Sequence, residues 1–455
     1  MVPRARPVGA RRAPSCNVDA NTATPQPAKL VTFGITRRKG DRVLSAARPV
    51  SDARIPITMS PLPYSTRLAL TVTLLGTVVS FRGSASHTAP SETTSYARAE
   101  APANDAAIRD SVRQILDRAL RDSAFPGAIA VIGTRDRIIT QYAVGHLDWA
   151  PSPAPNEHTL WDLASLTKVI GTTSGIMQLV DKGRIALEAP VQRYIPEWTG
   201  RNKERVTIKN LLTHTSGLPA FKPYDQITHD PDSLAKLMFA TQLDTVPGAR
   251  MVYSDIGAYM LGRVLEQVSG QSLDQYLHDH VFEPAGMHET MFRPPFALFP
   301  RIAPTEYDST QRHRLVRGMV HDERAYYLGG VSAHAGLFSS AHDLARFAQM
   351  YLNGGTIGGK SILSKAQISV FTTRQVEDRA LGWQKPNGTN SAGRLMSSDA
   401  FGHTGFTGTS IWMDPRRDVF VILLSNRVNP TRANNRIGRV RTQLADAVMT
   451  ALGSP

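Results

Sequence analysis

Residues 127–145 read GAIAVIGTRDRIITQYAVG, two apolar, β-branched runs separated by a short polar segment. Runs of this length that are bounded by turn residues predict two antiparallel strands joined by a tight connection. Just upstream, apolar residues recur at helical spacing from Ile108 to Ala119. A helix followed by a hairpin predicts a helix packed on an antiparallel sheet.

The C-terminal end of the chain repeats this arrangement in reverse order. SIWM from Ser410 and VFVILLS from Val419 predict two further strands, and apolar residues from Ile437 to Leu452 recur at helical spacing. We therefore expect both ends of the chain to contribute to one layer of sheet and helix.

The middle of the chain is mainly helical. One apolar stripe runs from Ile256 to Val268 and stops at a glycine, which is typical of a helix end. The expected fold class is α/β (α+β): an antiparallel sheet flanked by helices, built from residues 105 to about 195 and about 330 to 452. An all-helical domain is expected to be inserted at about 196–329.

Most of the formal charge of +14 precedes the predicted domain. Residues 1–58 contain 11 Lys and Arg against 3 Asp and Glu, whereas residues 87–455 contain 39 against 35. A nucleic-acid-binding protein needs a basic face on a folded module, so we expect no nucleic-acid partner. Residues 1–58 are rich in Arg and Pro without periodicity. We interpret them as a disordered extension, or as the result of a start codon assigned too far upstream.

A secretory signal is predicted over residues 59–86. Its Leu68–Phe81 segment has 14 residues without charge, follows Arg67 and precedes small residues, which is the pattern of a cleaved signal. A membrane-spanning helix needs roughly 20 apolar residues, so we expect no stable membrane span. A short buried core helix is the alternative. Residues 87–104 predict a linker, and the domain at 105–452 is expected in the periplasm or outside the cell.

Cysteine and histidine give little support for a metal centre. Cys16 is the only cysteine and lies in the N-terminal extension, so the domain is expected to form no disulfide and no cysteine-held metal site. Two sets of residues are candidates for metal ligands, namely His278, Asp279 and His280, and His313, His321 and His334. Neither set matches a known zinc spacing, and we expect no metal and no other cofactor.

The tetrad Ser-x-x-Lys occurs twice, at Ser165–Lys168 and at Ser233–Lys236. The residues after Ser165 predict a buried helix, so Ser165 is expected at a helix start, where free N–H groups and the helix dipole stabilise negative charge. The i,i+3 spacing places Lys168 on the same helix face. An ordinary N-cap serine beside a solvated lysine is the alternative for this pair alone.

Two further segments contain candidate site residues. Tyr253-Ser254-Asp255 precedes the predicted helix, and because residues two apart on an extended segment point the same way, Tyr253 and Asp255 are expected to face one cleft. His403-Thr404-Gly405 opens the glycine-spaced stretch GHTGFTG, where missing side chains would let a ligand lie against the backbone.

In this order, Ser-x-x-Lys, Tyr-Ser-Asp and His-Thr-Gly resemble the motifs of class C β-lactamases and of the related low-molecular-mass DD-peptidases and esterases. LLTHTSGLP at residues 211–219 and the GHTGFTG stretch also resemble signature segments of that family, and the resemblance covers about residues 105–452. Ser233 lies only 20 residues before Tyr253, a spacing that does not fit the family. Ser233 is therefore interpreted as an ordinary helix-start serine.

The resemblance implies a serine hydrolase that forms an acyl-enzyme on Ser165, which water then cleaves, with Lys168 and Tyr253 shuttling the proton. It also implies that the N–H groups of Ser165 and Phe406 bind the oxyanion. The residues that it assigns to the substrate and oxyanion site are Asp255, His403, Thr404, Gly405 and Phe406. Outside this set, Trp161 and Asp162 are expected to pack and cap the nucleophile helix, and His214 to be structural.

Two positions depart from the class C β-lactamase pattern. Asp255 stands where asparagine is usual, and a carboxylate near Lys168 favours the charged ammonium, so we expect Tyr253 to take the larger share of proton transfer. His403 replaces the usual lysine and, with an ordinary pKa near 6.5, is expected to be only partly charged at neutral pH. This favours a DD-peptidase or an esterase over an efficient β-lactamase.

The expected function is therefore that of an exported serine hydrolase acting on D-Ala-D-Ala-type cell-wall peptides, β-lactams or small esters. The alternative is a non-catalytic penicillin-binding-like receptor or assembly scaffold. The two hypotheses differ in one observable, because only the hydrolase predicts covalent labelling of Ser165 by a penicillin or a fluorophosphonate.

Overall fold

The computed structural model of the protein describes residues 103–453. The predicted extension (1–58), the signal segment (59–86) and the predicted linker up to residue 102 lie outside these residues. The first helix begins at Ala103, two residues before the expected start of the domain. Among the residues described, none of the helices is both long and apolar enough to cross a bilayer.

The α-helices of the described chain are α1 (Ala103–Arg121), α2 (Ser174–Asp181), α3 (Ile208–Leu212), α4 (Pro231–Ala240), α5 (Asp255–Ser269), α6 (Leu273–Leu277), α7 (Glu323–Tyr327), α8 (Ala341–Leu352), α9 (Lys365–Thr372) and α10 (Ile437–Ala451). The strands are β1 (Gly127–Gly133), β2 (Ile138–Gly145), β3 (Trp161–Asp162), β4 (Met291–Phe292), β5 (Tyr307–Asp308), β6 (Arg314–Leu315), β7 (Leu337–Ser339), β8 (Thr356–Ile357), β9 (Lys360–Ser361), β10 (Phe401–Thr404), β11 (Ser410–Asp414) and β12 (Val419–Ser425).

The main sheet has five antiparallel strands in the order β10-β11-β12-β1-β2. Strand β1 from the start of the domain pairs with β12 from its end, with Ala128 opposite Ser425. Every residue of β1 is buried, because side chains on both of its faces pack into apolar clusters. Helices α1 and α10 cover one face, and α2, α5 and α8 contribute to the cluster on the other. The predicted antiparallel sheet flanked by helices is confirmed.

The segment from 196 to 329 contains helices α3 to α7, and it also contains the short strands β4, β5 and β6. It is therefore mainly helical rather than all-helical. Each of these strands has two residues, too few for an alternating pattern to appear in the sequence. Strand β4 joins β7 and β3 in a second small sheet, and β3 leads directly into the nucleophile helix.

Candidate active site

Ser165 lies in the turn from which the nucleophile helix starts. Helical backbone begins at Leu166, passes through a π-helical segment and continues as α2. The preceding residue, Ala164, has a left-handed backbone with φ 45°, and its N–H donates to the carboxylate of Asp162 at 2.8 Å. Asp162 thus caps this turn and Trp161 packs in the core, as predicted. The capped turn fixes the direction in which the Ser165 side chain leaves the backbone.

Lys168 is buried, with 4% of its surface exposed. Its Nζ donates to Ser165 Oγ at 3.0 Å and to the carbonyl of His334 at 2.9 Å, and it pairs with Asp255 Oδ1 at 2.8 Å. Burial alone would lower the pKa of Lys168, but Asp255 and Tyr253 outweigh it and raise the pKa above its ordinary value. Lys168 is therefore a charged ammonium that holds Ser165 Oγ in place and has no free lone pair to accept its proton.

Asp255 begins α5 and links Lys168 to a second cation. Its Oδ2 accepts from Arg324 Nη2 at 2.7 Å, and Arg324 also contacts Asp322, which pairs with Nε2 of His334 at 3.0 Å. Burial would raise the pKa of Asp255, but Lys168, His334 and Arg324 together hold it well below its usual value. A carboxylate at this position is thus balanced by cations on both sides.

The Tyr253 ring lies between cationic groups, with Lys168 Nζ 5.0 Å and Arg379 Cζ 5.2 Å from its centre. Its hydroxyl has no hydrogen-bond partner among the described residues. The ring of His214 packs against Tyr253 at 4.5 Å, and Nδ1 of His214 accepts from the Ser254 N–H at 3.1 Å. Burial, with Arg379 and Lys168, lowers the pKa of His214 well below its ordinary value, so His214 is neutral. It supports the tyrosine structurally, as predicted.

Two backbone donors belong to residues that line one cavity at the nucleophile. Within the described residues, the N–H groups of Ser165 and Phe406 donate to no protein acceptor. The loop that carries Phe406 is held by arginines: Arg427 Nε donates to its carbonyl at 2.8 Å, and Arg441 Nη2 donates to the Gly405 carbonyl at 2.7 Å. A Cβ at Gly405 would lie 2.3 Å from the Leu163 carbonyl, so this close approach requires glycine. The loop is therefore pinned against the turn before Ser165.

His403 is buried beside this loop and is uncharged. Its Nδ1 lies 2.8 Å from the Thr404 carbonyl and must carry the proton, while Nε2 lies 3.5 Å from Arg379 Nη1, which donates to it. Burial, followed by the repulsion of Arg379 and Lys168, lowers the pKa of His403 to about 3. The prediction that this histidine carries a partial positive charge at neutral pH is therefore wrong. The positive charge next to His403 is instead that of the Arg379 guanidinium.

The low pKa of His403 predicts a stability that falls with acid. In the unfolded chain this histidine takes up a proton near pH 6.5, whereas in the fold it does so only near pH 3. The unfolded state therefore binds more protons between these values, and stability rises with pH. We expect about 2 kcal/mol of unfolding free energy to be lost through this group between pH 7 and pH 5. Denaturant unfolding at both pH values should show a smaller loss in His403→Gln, and an equal loss would contradict the prediction.

Two cavities meet at the nucleophile. A cavity of about 360 Å³ is lined by Ser165, Tyr253, the His403–Phe406 stretch and the arginines Arg379, Arg427 and Arg441. A second cavity of about 400 Å³ shares Ser165, Tyr253 and Phe406, and extends toward Phe221 and Arg324. The structure thus brings together all of the sequence-predicted site residues. The sequence analysis did not predict the four arginines of the site, because an isolated arginine outside a motif gives no signal. These are Arg324, Arg379, Arg427 and Arg441.

The second Ser-x-x-Lys tetrad lies outside the two cavities. Ser233 and Lys236 are exposed, and the Ser233 N–H donates to the N-cap residue Asp230 at 2.8 Å, as expected for an ordinary helix start. His321 and His334 both line the second cavity, but His321 pairs with Glu306 whereas His334 pairs with Asp322. Among the described residues, the side chains of Glu289, His342 and Asp343 are close enough together to hold a metal, a cluster absent from the sequence predictions.

Comparison with known proteins agrees with this geometry. The family model described as Beta-lactamase matches residues 112–445. A protein of Salmonella agona named as a D-alanyl-D-alanine carboxypeptidase is 31% identical over 355 residues, which is 70% of this chain and 82% of that protein; a protein of the same name from Salmonella typhi matches equally.

Solved structures show the same fold. A penicillin-binding protein homologue from Caulobacter crescentus has a TM-score of 0.63 at 22% identity, and covers 77% of this chain and 98% of its own. EstCE1, a hydrolase with promiscuous acyltransferase activity, has a TM-score of 0.62 at 21% identity, and covers 76% of this chain and 99% of its own. With the motifs assembled around Ser165, these matches show that the chain belongs to the β-lactamase family of serine hydrolases.

Proposed function

We propose that this protein is a serine DD-carboxypeptidase, which releases the C-terminal residue of a peptide that ends in a free carboxylate. The observation that supports this choice is the first cavity beside Ser165, whose lining includes Arg379, Arg427 and Arg441 and no acidic side chain. A guanidinium binds a carboxylate through paired, charge-assisted hydrogen bonds. Within the described residues, Arg379 donates from Nη1 to His403, and its Nε lies 3.6 Å from Asp378 without a hydrogen bond, so the guanidinium has donors left for a ligand.

The proposed chemistry uses Tyr253 as the proton carrier. As Ser165 Oγ bonds to the peptide carbonyl carbon, its proton passes to the oxygen of Tyr253, whose ring lies beside the Lys168 ammonium. The oxyanion is held by the N–H groups of Ser165 and Phe406. When the C–N bond breaks, Tyr253 returns the proton to the leaving amine. Water then loses a proton to Tyr253 and attacks the acyl-enzyme, and Oγ leaves with that proton.

A matched set of substrates tests the proposal. The purified protein is assayed on a peptide ending in D-Ala-D-Ala with a free carboxylate, on the same peptide with a C-terminal amide, on nitrocefin and on a short p-nitrophenyl ester. We expect release of D-alanine from the free peptide at a rate at least about tenfold above that for the amide. Equal rates for the two peptides, or turnover of the ester alone, would overturn the carboxypeptidase assignment.

The Arg379→Gln variant tests the source of this preference. We expect kcat/KM for the free-carboxylate peptide to fall roughly 10- to 100-fold, because a charge-assisted hydrogen bond is lost, with little change for the amide. Arg416→Gln is the matched control, since Arg416 is an exposed arginine paired with Asp399. A similar loss for both peptides would show that Arg379 acts on the fold or on the reacting groups instead.

We also propose that the protein is exported. The uncharged run Leu68–Phe81 supports this proposal, and export would place the enzyme where cell-wall peptides are found. Mass spectrometry of the protein from the native host should give an N-terminus beyond residue 81. A protein that begins near Met1 would contradict export through this segment.

A further inference from the structure

The second cavity at Ser165 differs from the first in charge. Its lining includes four carboxylates against two guanidinium groups; these are Asp225, Asp255, Asp322 and Glu323, and Arg324 and Arg432. The first cavity is lined by arginines without any acid. The nucleophile therefore stands between a cavity lined by arginines and a cavity that also contains four carboxylates, beside its two arginines, His321 and His334.

Three of these four carboxylates are already neutralised. Asp255 pairs with Lys168 and Arg324, and Asp322 contacts Arg324 and His334. Glu323 pairs with Arg432 at 2.5 Å, and Arg432 also pairs with Glu306, which contacts His321. Both guanidinium groups of the lining are thus engaged by carboxylates of the protein.

Asp225 is the exception. It is 5% exposed, and among the described residues no Lys, Arg or His lies within ion-pair distance of it. Its one side-chain partner there is Gln311, whose Nε2 donates to Oδ2 at 2.9 Å. Oε1 of the same glutamine is buried without a donor. The Asp225 carboxylate therefore lies at this cavity with a single side-chain donor, and a buried carboxylate that lacks donors costs folding free energy until a donor binds to it.

Two phenylalanines at the cavity add an apolar surface. Phe221 is 53% exposed and Phe406 is 48% exposed, so each ring offers surface to a ligand. Arg324 lies 4.6 Å from the centre of the Phe221 ring, and Arg427 lies 4.4 Å from that of Phe406. These stacked guanidinium groups hold the rings in place. Rings held in this way suit contact with a chain of methylene groups.

We propose that the second cavity binds the acyl part of the substrate and recognises a primary ammonium group at the end of a short aliphatic stem. The Asp225 carboxylate, which Gln311 holds in place, accepts hydrogen bonds from the ammonium, while Phe221 and Phe406 pack against the stem. The assignment of this cavity to the acyl part rests on the proposed function, in which the arginine-lined cavity receives the carboxylate of the leaving residue. The substrate is then dipolar, with opposite charges on the two sides of the bond that is cleaved.

A pair of esters with the same leaving group tests the ammonium site independently of the cavity that is proposed to bind the leaving residue. The substrates are the p-nitrophenyl esters of 6-aminohexanoate and of 6-acetamidohexanoate, which differ in one charge. We expect the wild-type protein to prefer the amino ester by about tenfold in kcat/KM. Asp225→Asn should lower this preference to near one through a loss on the amino ester, and it should still fold because asparagine keeps an acceptor for Gln311. Asp232→Asn, a change at an exposed carboxylate on α4, should retain the wild-type preference.

Equal rates of the wild-type protein on the two esters would overturn the ammonium site, as would an equal loss on both esters in Asp225→Asn. The same comparison with D-Ala-D-Ala peptides whose preceding side chain carries a free or an acetylated amine separates the two proposals. If the esters are discriminated but neither peptide is cleaved, the carboxypeptidase assignment fails and the ammonium site stands. If both peptides are cleaved equally and the esters are not discriminated, the carboxypeptidase stands and the ammonium site fails.

Discussion

Ser165→Ala is expected to abolish labelling by a fluorescent penicillin and to lower kcat/KM on any cleaved substrate by at least about 10⁴-fold. The loss is large because Ser165 Oγ is the atom that forms the acyl-enzyme, and Lys168 donates a hydrogen bond to it from within the buried site. Labelling followed by gel fluorescence, with stopped-time kinetics on the best substrate, measures both effects.

Ser233→Ala provides the matched control, because Ser233 begins the second Ser-x-x-Lys tetrad but is exposed and bonded to Asp230. It should be labelled and should turn over substrate as the wild-type protein does. Labelling that persists in Ser165→Ala would locate the nucleophile elsewhere. Absence of labelling in the wild-type protein would favour the alternative of a binding receptor or scaffold.

Tyr253→Phe is expected to lower the rate of acylation by about 10²- to 10⁴-fold, at least as much as Lys168→Ala. The ammonium of Lys168 already uses its hydrogens on Ser165, His334 and Asp255, so it positions the nucleophile but has no lone pair for its proton. The hydroxyl of Tyr253 is the neighbouring group that has no partner within the described chain. Single-turnover acylation by a chromogenic lactam or ester measures this step directly.

Two controls keep this comparison interpretable. Tyr259→Phe changes a tyrosine on α5 that lines a different cavity and should leave acylation unchanged. Lys168→Ala leaves Asp255 with Arg324 as its cation and is expected to lose stability as well as rate, so its folded fraction must be measured in parallel. Acylation of Tyr253→Phe near the wild-type rate would refute the assignment of Tyr253 as the main proton acceptor.

The parts of this protein that the sequence predicted are those with a regular pattern. The strand pairs at 127–145 and 410–425 are apolar runs bounded by turn residues, the terminal helices have a period of 3.6, and each forms where it was expected. Ser165, Lys168, Tyr253 and His403 were found because they stand in ordered motifs. The motifs also predicted that Asp255 would keep Lys168 charged, since that inference needs only two neighbouring charges.

The parts that could not be predicted depend on contacts between distant segments. Arg379 lies outside any helix or strand, and Arg324 lies on the short helix α7, so neither position has a periodic context. The charge state of His403 follows from burial and from Arg379, and composition reports neither. Strands β4, β5 and β6 could not be predicted, because a strand of two residues is too short to show alternating apolar and polar residues.

The pairing of β1 with β12 also constrains the order of events in folding. Ala128 and Ser425 are neighbours in the sheet but are 297 residues apart along the chain, so the central strand pair closes a very long loop. A topology with such distant contacts folds slowly, because the entropy of loop closure is lost before the contacts form. Phe406, which supplies an oxyanion donor, lies on this same late-synthesised part of the chain. A nascent chain therefore cannot complete its active site until Phe406 and β12 have been synthesised and have left the ribosome.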